Sequence, residues 1–283
     1  GILGNLSIDA ASVSDPDLIR GDGQFLYTLA SVCDDVDFGI TNVVRGSDHV
    51  TNTATQIQII ESWNGNVPDF SHHSLLTGPK GEPLSKRLGT LSLRDLRANG
   101  LEPMAILSYM SRLGSSEPIE LFDNINDLAE NFDISNFGAQ PTKFDLTDIL
   151  PLSKKYISGL DISEVFDNLK ATGVPSDIAP NFWSIVRENI STRAEIKHWY
   201  SICFEGVTPV IDKEDIQFIE IAKSLLPVGN FDENTWKNWT SEIKAITGRK
   251  GKTLFMPLRK ALTGMEHGPD MSRLLPLLQK INI

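Results

Sequence analysis

Cysteine is nearly absent from this 283-residue chain: only Cys33 and Cys203 occur, and neither has a second Cys or His at metal-ligand spacing. A disulfide framework is therefore excluded, no structural zinc is expected, and a reducing compartment such as the cytoplasm fits. Each cysteine reads as a small buried apolar residue. Long apolar runs are missing too, and nothing approaches the roughly 18 residues needed to cross a bilayer, so no membrane partner is expected. The opening Gly1-Ile-Leu-Gly-Asn-Leu-Ser7 has neither a basic leader nor a long apolar stretch, which speaks against a signal peptide. It also lacks an initiator Met and starts inside an apolar segment, as a cut end does. Positive charge is in deficit, with 26 Lys+Arg against 37 Asp+Glu and a net charge of −11. Taken as an average, that balance argues against a nucleic-acid partner.

The average hides a division. Residues 236–283 hold nine Lys/Arg against three acids, net +6, which leaves 17 basic and 34 acidic residues, net −17, in the 235 before them. An acidic body carries a basic tail. The apolar fraction of 40% is that of a globular protein, and the length allows two or three folded units. Residues 1–90 read as mixed α/β, with a strand over 36–44, a helix over 52–63, and dense turn chemistry. After Leu91 the pattern becomes helical. Ser92 caps a helix that stops at Asn99-Gly100, Pro103 opens another that stops at Gly114, the acidic stretch 115–135 wraps a helix pair, and 146–157 is helical. Amphipathic helices then follow over 162–172, 180–188, 193–204, 215–225, 232–247, 254–262 and 271–281.

Four constellations bear on chemistry. Thr77-Gly-Pro-Lys-Gly-Glu-Pro-Leu-Ser-Lys-Arg-Leu-Gly89 is a Gly-rich basic loop able to surround a polyphosphate, or simply a solvated loop; it is not a Walker A sequence. Val43-Val-Arg-Gly-Ser-Asp-His49 leads from a strand into a polar helix start, the position where open α/β sheets bind ligands. There Arg45 suits a carboxylate, and Asp48 and His49 suit hydroxyls or a purine edge; an Asp cap beside an exposed Arg is the plainer alternative. Asp34, Asp35 and Asp37 read as a turn and a cap rather than a metal site. Thr247-Gly-Arg-Lys-Gly-Lys252 is a basic turn suited to phosphate contacts, with Trp236, Trp239 and Phe255 nearby as base-stacking or core residues. His72, His73 and His198 have no convincing partners and are assigned no role.

Together these segments resemble the bacterial glutamyl-tRNA synthetases of class I. The resemblance runs in order through Ser14-Asp-Pro-Asp-Leu-Ile-Arg20, Tyr27-Thr-Leu-Ala-Ser-Val32, Asp34-Asp35, Gly39-Ile-Thr41, Arg45-Gly-Ser-Asp-His-Val-Thr-Asn-Thr53, Leu84-Ser-Lys-Arg87, Thr247-Gly-Arg-Lys-Gly251, Phe255-Met-Pro-Leu-Arg259 and Ala261-Leu-Thr-Gly264. It implies an α/β part, the C-terminal half of a Rossmann-type catalytic domain, over 1–90. A helical stem-contact region would follow over 91–160, and an all-helical anticodon-binding domain over 161–283, mostly helical overall.

The implied activity is ATP-dependent attachment of glutamate to tRNA through glutamyl-adenylate, with Mg²⁺ accompanying the ATP. Lys86 would stabilise the reacting phosphorus, with Ser85 and Arg87 beside it on the ATP. Tyr27 and Arg45 would hold glutamate, Arg45 on its carboxylate. Asp48 and His49 would lie beside the adenosine, Leu75 and Leu76 would flank the adenine, and Arg249, Lys250 and Lys252 would bind tRNA. The partners implied are tRNA(Glu), with tRNA(Gln) as a second substrate in a non-discriminating enzyme, and a monomer is expected. The His-x-Gly-His signature that binds ATP in this family is missing, Pro83 stands where a basic residue is usual, and Ser47 replaces an acid. A fragment inactive by itself is therefore expected. The competing reading of another class is a non-catalytic tRNA-binding protein, whereas the short tRNA-modifying relatives lack helices like those of 161–283.

Overall fold

The structure, a computed structural model, describes residues 3–9, 11, 13–84 and 92–283. Ser85, Lys86 and Arg87 of the phosphate loop lie outside the described residues. The chain forms two compact units, Gly1–Leu91 with Leu107–Leu146, and Ser92–Ile106 with Thr147–Ile283.

The first unit is built on a βαβ crossover. Strand β1 (Asn42–Gly46) pairs in parallel with β2 (Asp69–His73), in a register that runs from Asn42 opposite Asp69 to Gly46 opposite His73. Helix α2 (Val50–Ser62) connects them and packs on α1 (Tyr27–Asp37), with Val32 and Ile60 fully buried. The strand expected over 36–44 is split: Val36 and Asp37 close α1, and extended backbone starts only at Asn42. The reason is local. Gly39 adopts φ +63°, Gly39 N donates to Val36 O (3.2 Å) and Ile40 N donates to Asp35 O (2.9 Å), the paired bonds that terminate a helix at a left-handed glycine. Short β3 (Leu76–Thr77) pairs in parallel with β4 (Thr142–Lys143).

Between these last two strands the expected helix pair of 115–135 is one six-residue helix, followed by a 3-10 turn over Ile134–Asn136. Asn124 and Asp133 accept backbone N–H groups of the residues after them, which starts and restarts the chain in place of one continuous element. Tyr109 and Phe144 meet edge-on at 5.6 Å in this unit's interior.

The second unit is helical. Its first helix, α3 (Leu93–Ala98), starts in a reciprocal cap of Ser92 and Asp95. Helix α4 (Pro103–Met110) supplies residues to both units, and the single helix of 125–130 is α5 (Ile125–Glu130). Then follow α6 (Ile149–Gly159), α7 (Ile162–Thr172), α8 (Ala179–Val186), α9 (Glu195–Tyr200), α10 (Ile216–Ser224), α11 (Thr235–Thr247), α12 (Lys252–Thr263) and α13 (Met271–Leu274). Trp183, Trp199 and Trp239 anchor the core, and two of their indoles donate to carbonyls, Trp183 to Leu160 O and Trp239 to Ala222 O. Burial pushes the Cys203 thiol up to about 12, so it behaves as an inert apolar group.

The helix expected over 271–281 ends at Leu274 in a 3-10 turn containing Pro276, which has no N–H to continue it. Beyond it, Gln279 N donates to Cys203 O at 2.7 Å, using a carbonyl of the π-helical turn Ser201–Glu205 that extends α9. A buried ion pair lies in the same unit. Glu102 accepts from Arg193 Nε (2.6 Å) and Nη2 (3.2 Å), while Arg193 Nη1 donates to Glu164 O and Asn168 Oδ1.

Candidate functional site

In the first unit the C-terminal end of β1 delivers Arg45, Asp48 and His49 to one place. The parallel register sets Arg45 beside His72 of β2. The half-buried Arg45 guanidinium donates from Nη1 to the Tyr27 hydroxyl (3.3 Å) and from Nη2 to Thr53 Oγ1 (2.5 Å), and it lies 5.2 Å from the centre of the Phe70 ring. The two predicted glutamate-binding residues, Tyr27 and Arg45, are thus joined directly. Among the described residues no carboxylate forms an ion pair with Arg45. A half-buried guanidinium whose hydrogen bonds go to neutral hydroxyls keeps capacity for an anion.

Two buried polar atoms here have no partner among the described residues, Arg45 Nε and His49 Nδ1. Native interiors rarely leave such atoms unpaired unless something else completes them. The Asp48 carboxylate folds back over Gly46, where a Cβ would lie 2.4 Å from its oxygen. The predicted adenosine pair, Asp48 and His49, meet at 3.8 Å, and His49 packs against Tyr27 with ring centres 5.7 Å apart. Leu75 is exposed and Leu76 enters β3; Leu75 Cδ2 also approaches Gly46.

His72 was assigned no role from sequence, yet it is buried and its Nε2 lies 2.9 Å from Thr53 Oγ1. Burial lowers its pKa, and the charge of Arg45 lowers it further. Asp34, Asp35 and Asp37 occupy the last turns of α1 rather than the turn and cap expected from sequence. Burial pushes the Asp35 carboxyl up, against the pull of Arg45. Sequence reasoning also missed Gln56, whose Nε2 donates to Ser31 Oγ (2.7 Å) while its buried Oε1 has no partner among the described residues. Neither His72 nor Gln56 has a sequence signal, because their partners are set by strand register and helix packing.

In the second unit the basic turn is not uniform. Arg249 pairs with Asp215 and lies 4.1 Å from the centre of the Phe218 ring, so its charge is committed within the fold. Lys250 and Lys252 are exposed. Of the three aromatics, Trp239 is core, whereas Trp236 and Phe255 sit with ring centres 6.2 Å apart in a recess of about 240 Å³ that also includes Arg259, Asp270 and Met271. Arg259 donates from Nη2 to Pro269 O (2.8 Å), and its buried Nη1 has no partner among the described residues. Among the described residues no group of three or more His, Cys, Asp or Glu gathers to hold a metal, and no helix is long and apolar enough to cross a membrane.

Residues 1–151 match the family of class I tRNA synthetases (E and Q), catalytic domain, and residues 176–283 match the anticodon binding domain family. Glutamate--tRNA ligase 1 of Roseobacter denitrificans is 63% identical over 281 residues, and glutamate--tRNA ligase 2 of Jannaschia sp. is 59% identical over 279. The chain is covered to 99% in both, but spans only 64% and 62% of the length of these relatives. A glutamate-tRNA synthetase from Elizabethkingia anophelis shares the fold, with a TM-score of 0.75 at 21% identity over 96% of this chain and 61% of that one.

Proposed function

The chain belongs to the class I tRNA synthetases of the glutamate and glutamine type, and from that premise we propose that it carries the glutamate-, ATP- and tRNA-binding residues of a glutamate–tRNA ligase. The observation that carries the proposal is Arg45: a half-buried guanidinium hydrogen-bonded to two neutral hydroxyls, at the C-terminal end of a parallel strand, with Arg45 Nε and His49 Nδ1 both without a partner among the described residues. Arg45 and Tyr27 take the glutamate carboxylate and fix its orientation. Asp48, His49, Leu75 and Leu76 line the nucleoside side. Lys86, with Ser85 and Arg87, neutralises the charge that develops as the amino-acid carboxylate attacks the α-phosphate and pyrophosphate leaves. The adenylate then passes its glutamyl group to the terminal ribose of tRNA. Mg²⁺ would accompany the ATP and offset part of its phosphate charge.

Residues 161–283 form the anticodon-binding part in this reading, and 91–160 the stem-contact part between it and the catalytic residues 1–90. Lys250 and Lys252 contact backbone phosphate, while Arg249 holds their turn in shape. The Trp236–Phe255 recess, with the unpaired Arg259 Nη1, accepts a nucleobase by stacking and one directed hydrogen bond. The protein works as a cytoplasmic monomer with tRNA(Glu), and competition with tRNA(Gln) reports whether it also accepts that partner.

The test is titration of fluorescent tRNA(Glu) with the chain at several salt concentrations. Binding is expected to weaken steeply with salt, and changing Lys250 and Lys252 to Ala is expected to lower the slope of log K against log[salt] by about 2. Affinity for tRNA that is absent at low salt, or indifferent to both lysines, contradicts the proposal.

A further inference from the structure

Arg45 is only as useful to a carboxylate as its orientation is fixed, and Tyr27 is a weak anchor: its hydroxyl lies 3.3 Å from Nη1 on a side chain that is 52% exposed. The firmer hold comes from behind. Thr53, in the first turn of α2 and 7% exposed, sets its hydroxyl 2.5 Å from Arg45 Nη2, 2.9 Å from His72 Nε2 and 3.1 Å from His49 O. A hydroxyl offers one proton and two lone pairs, so three contacts saturate it. Arg45 can only donate, and the carbonyl of His49 can only accept. All three contacts are hydrogen bonds if Thr53 donates to His49 O and receives from both Arg45 Nη2 and a protonated His72 Nε2. A neutral His72 meets this as the Nε2–H tautomer. Burial and the neighbouring guanidinium both oppose a charged ring there.

The geometry points to Thr53 and His72 as positioning residues that lock the Arg45 guanidinium in its carboxylate-receiving orientation. A helix-start threonine that merely bonds back to the carbonyl four residues earlier needs neither Arg45 nor His72. Here the hydroxyl is instead the hub through which β1, β2 and α2 fix one side chain, and the strand register that puts Arg45 opposite His72 makes this possible. The inference rests on the reading of Arg45 as a glutamate receptor.

The experiment is side-chain ¹⁵N NMR on the whole chain, with L-glutamate as the added probe. In the wild type, Arg45 Nη1 and Nη2 are expected as separate, slowly rotating signals, and His72 Nε2 as a protonated nitrogen. Thr53→Val is expected to speed guanidinium rotation and to weaken the L-glutamate response of Arg45, each at least tenfold. Thr53→Ser, which keeps the hydroxyl, should retain both within about threefold.

Free rotation of Arg45 or an unprotonated His72 Nε2 in the wild type overturns the proposal, and needs no variant that folds. If glutamate shifts Arg45 but Thr53→Val changes neither rotation nor affinity, the glutamate reading stands and the positioning role falls. If Thr53→Val frees Arg45 but glutamate never moves its signals, the positioning network stands and the glutamate reading falls.

Discussion

Arg249 spreads its guanidinium over Phe218 and pairs with Asp215, whereas its neighbour Lys250 is exposed. The two residues should therefore fail differently. Arg249→Ala leaves the nearly buried Asp215 carboxylate without its partner and is expected to cost about 2 kcal/mol of stability, a figure reduced for the partial exposure of the arginine. Lys250→Ala should stay within about 0.5 kcal/mol in the same urea titration and weaken only tRNA binding. Sequence alone set both residues in one basic turn, because the ion pair spans 34 positions that no local pattern links.

His72 makes a second prediction at this scale. Its folded pKa is lowered below the ordinary 6.5, so beneath that pH the unfolded chain binds a proton here that the folded chain resists. Stability should fall with acid from about pH 6.5 downward, and His72→Gln should flatten that part of the urea-midpoint profile. An unchanged slope contradicts the assignment.

Among the elements, those that announce themselves with local chemistry were readable. The cap at Ser92, the helix opened by Pro103, and the helix ends expected at 172 and 247 all stand where their residues indicated. The failures came where one residue type serves two purposes. Gly39 sits inside a β-branched run that reads as strand, but its left-handed backbone ends α1. Pro276 cuts short a helix whose apolar spacing continues past it.

Ser92→Ala removes one side of a reciprocal cap and is expected to cost about 1 kcal/mol. Glu102→Gln, by contrast, leaves Arg193 facing a neutral amide at a buried position and should cost about 2 kcal/mol. A double-mutant cycle with Arg193→Met checks this: the double variant should lose less than the sum of the single losses, and strict additivity contradicts the pairing.

For the molecule as a whole, the net charge of −11 conceals its organisation, since the basic residues concentrate after residue 236. The family pattern gave access to Tyr27, Arg45 and the residues around them, because those stand in contiguous motifs. Thr53, His72 and Gln56 depend on contacts between distant elements and were not readable as a site; Trp236 and Phe255 were raised as base-stacking or core residues, but their meeting with Arg259 in one recess was not. Arg45 joins these scales: a residue in a motif, fixed by strand register, inside a chain that matches glutamate–tRNA ligases over 99% of its length.

Calorimetric titration with L-glutamate of the wild-type chain and of Arg45→Ala therefore tests the account most directly. Saturable binding is predicted for the wild type, weakened about 10- to 100-fold in Arg45→Ala, the expected size of a charge-assisted hydrogen-bonded contact. Binding of equal strength in both proteins would contradict the account.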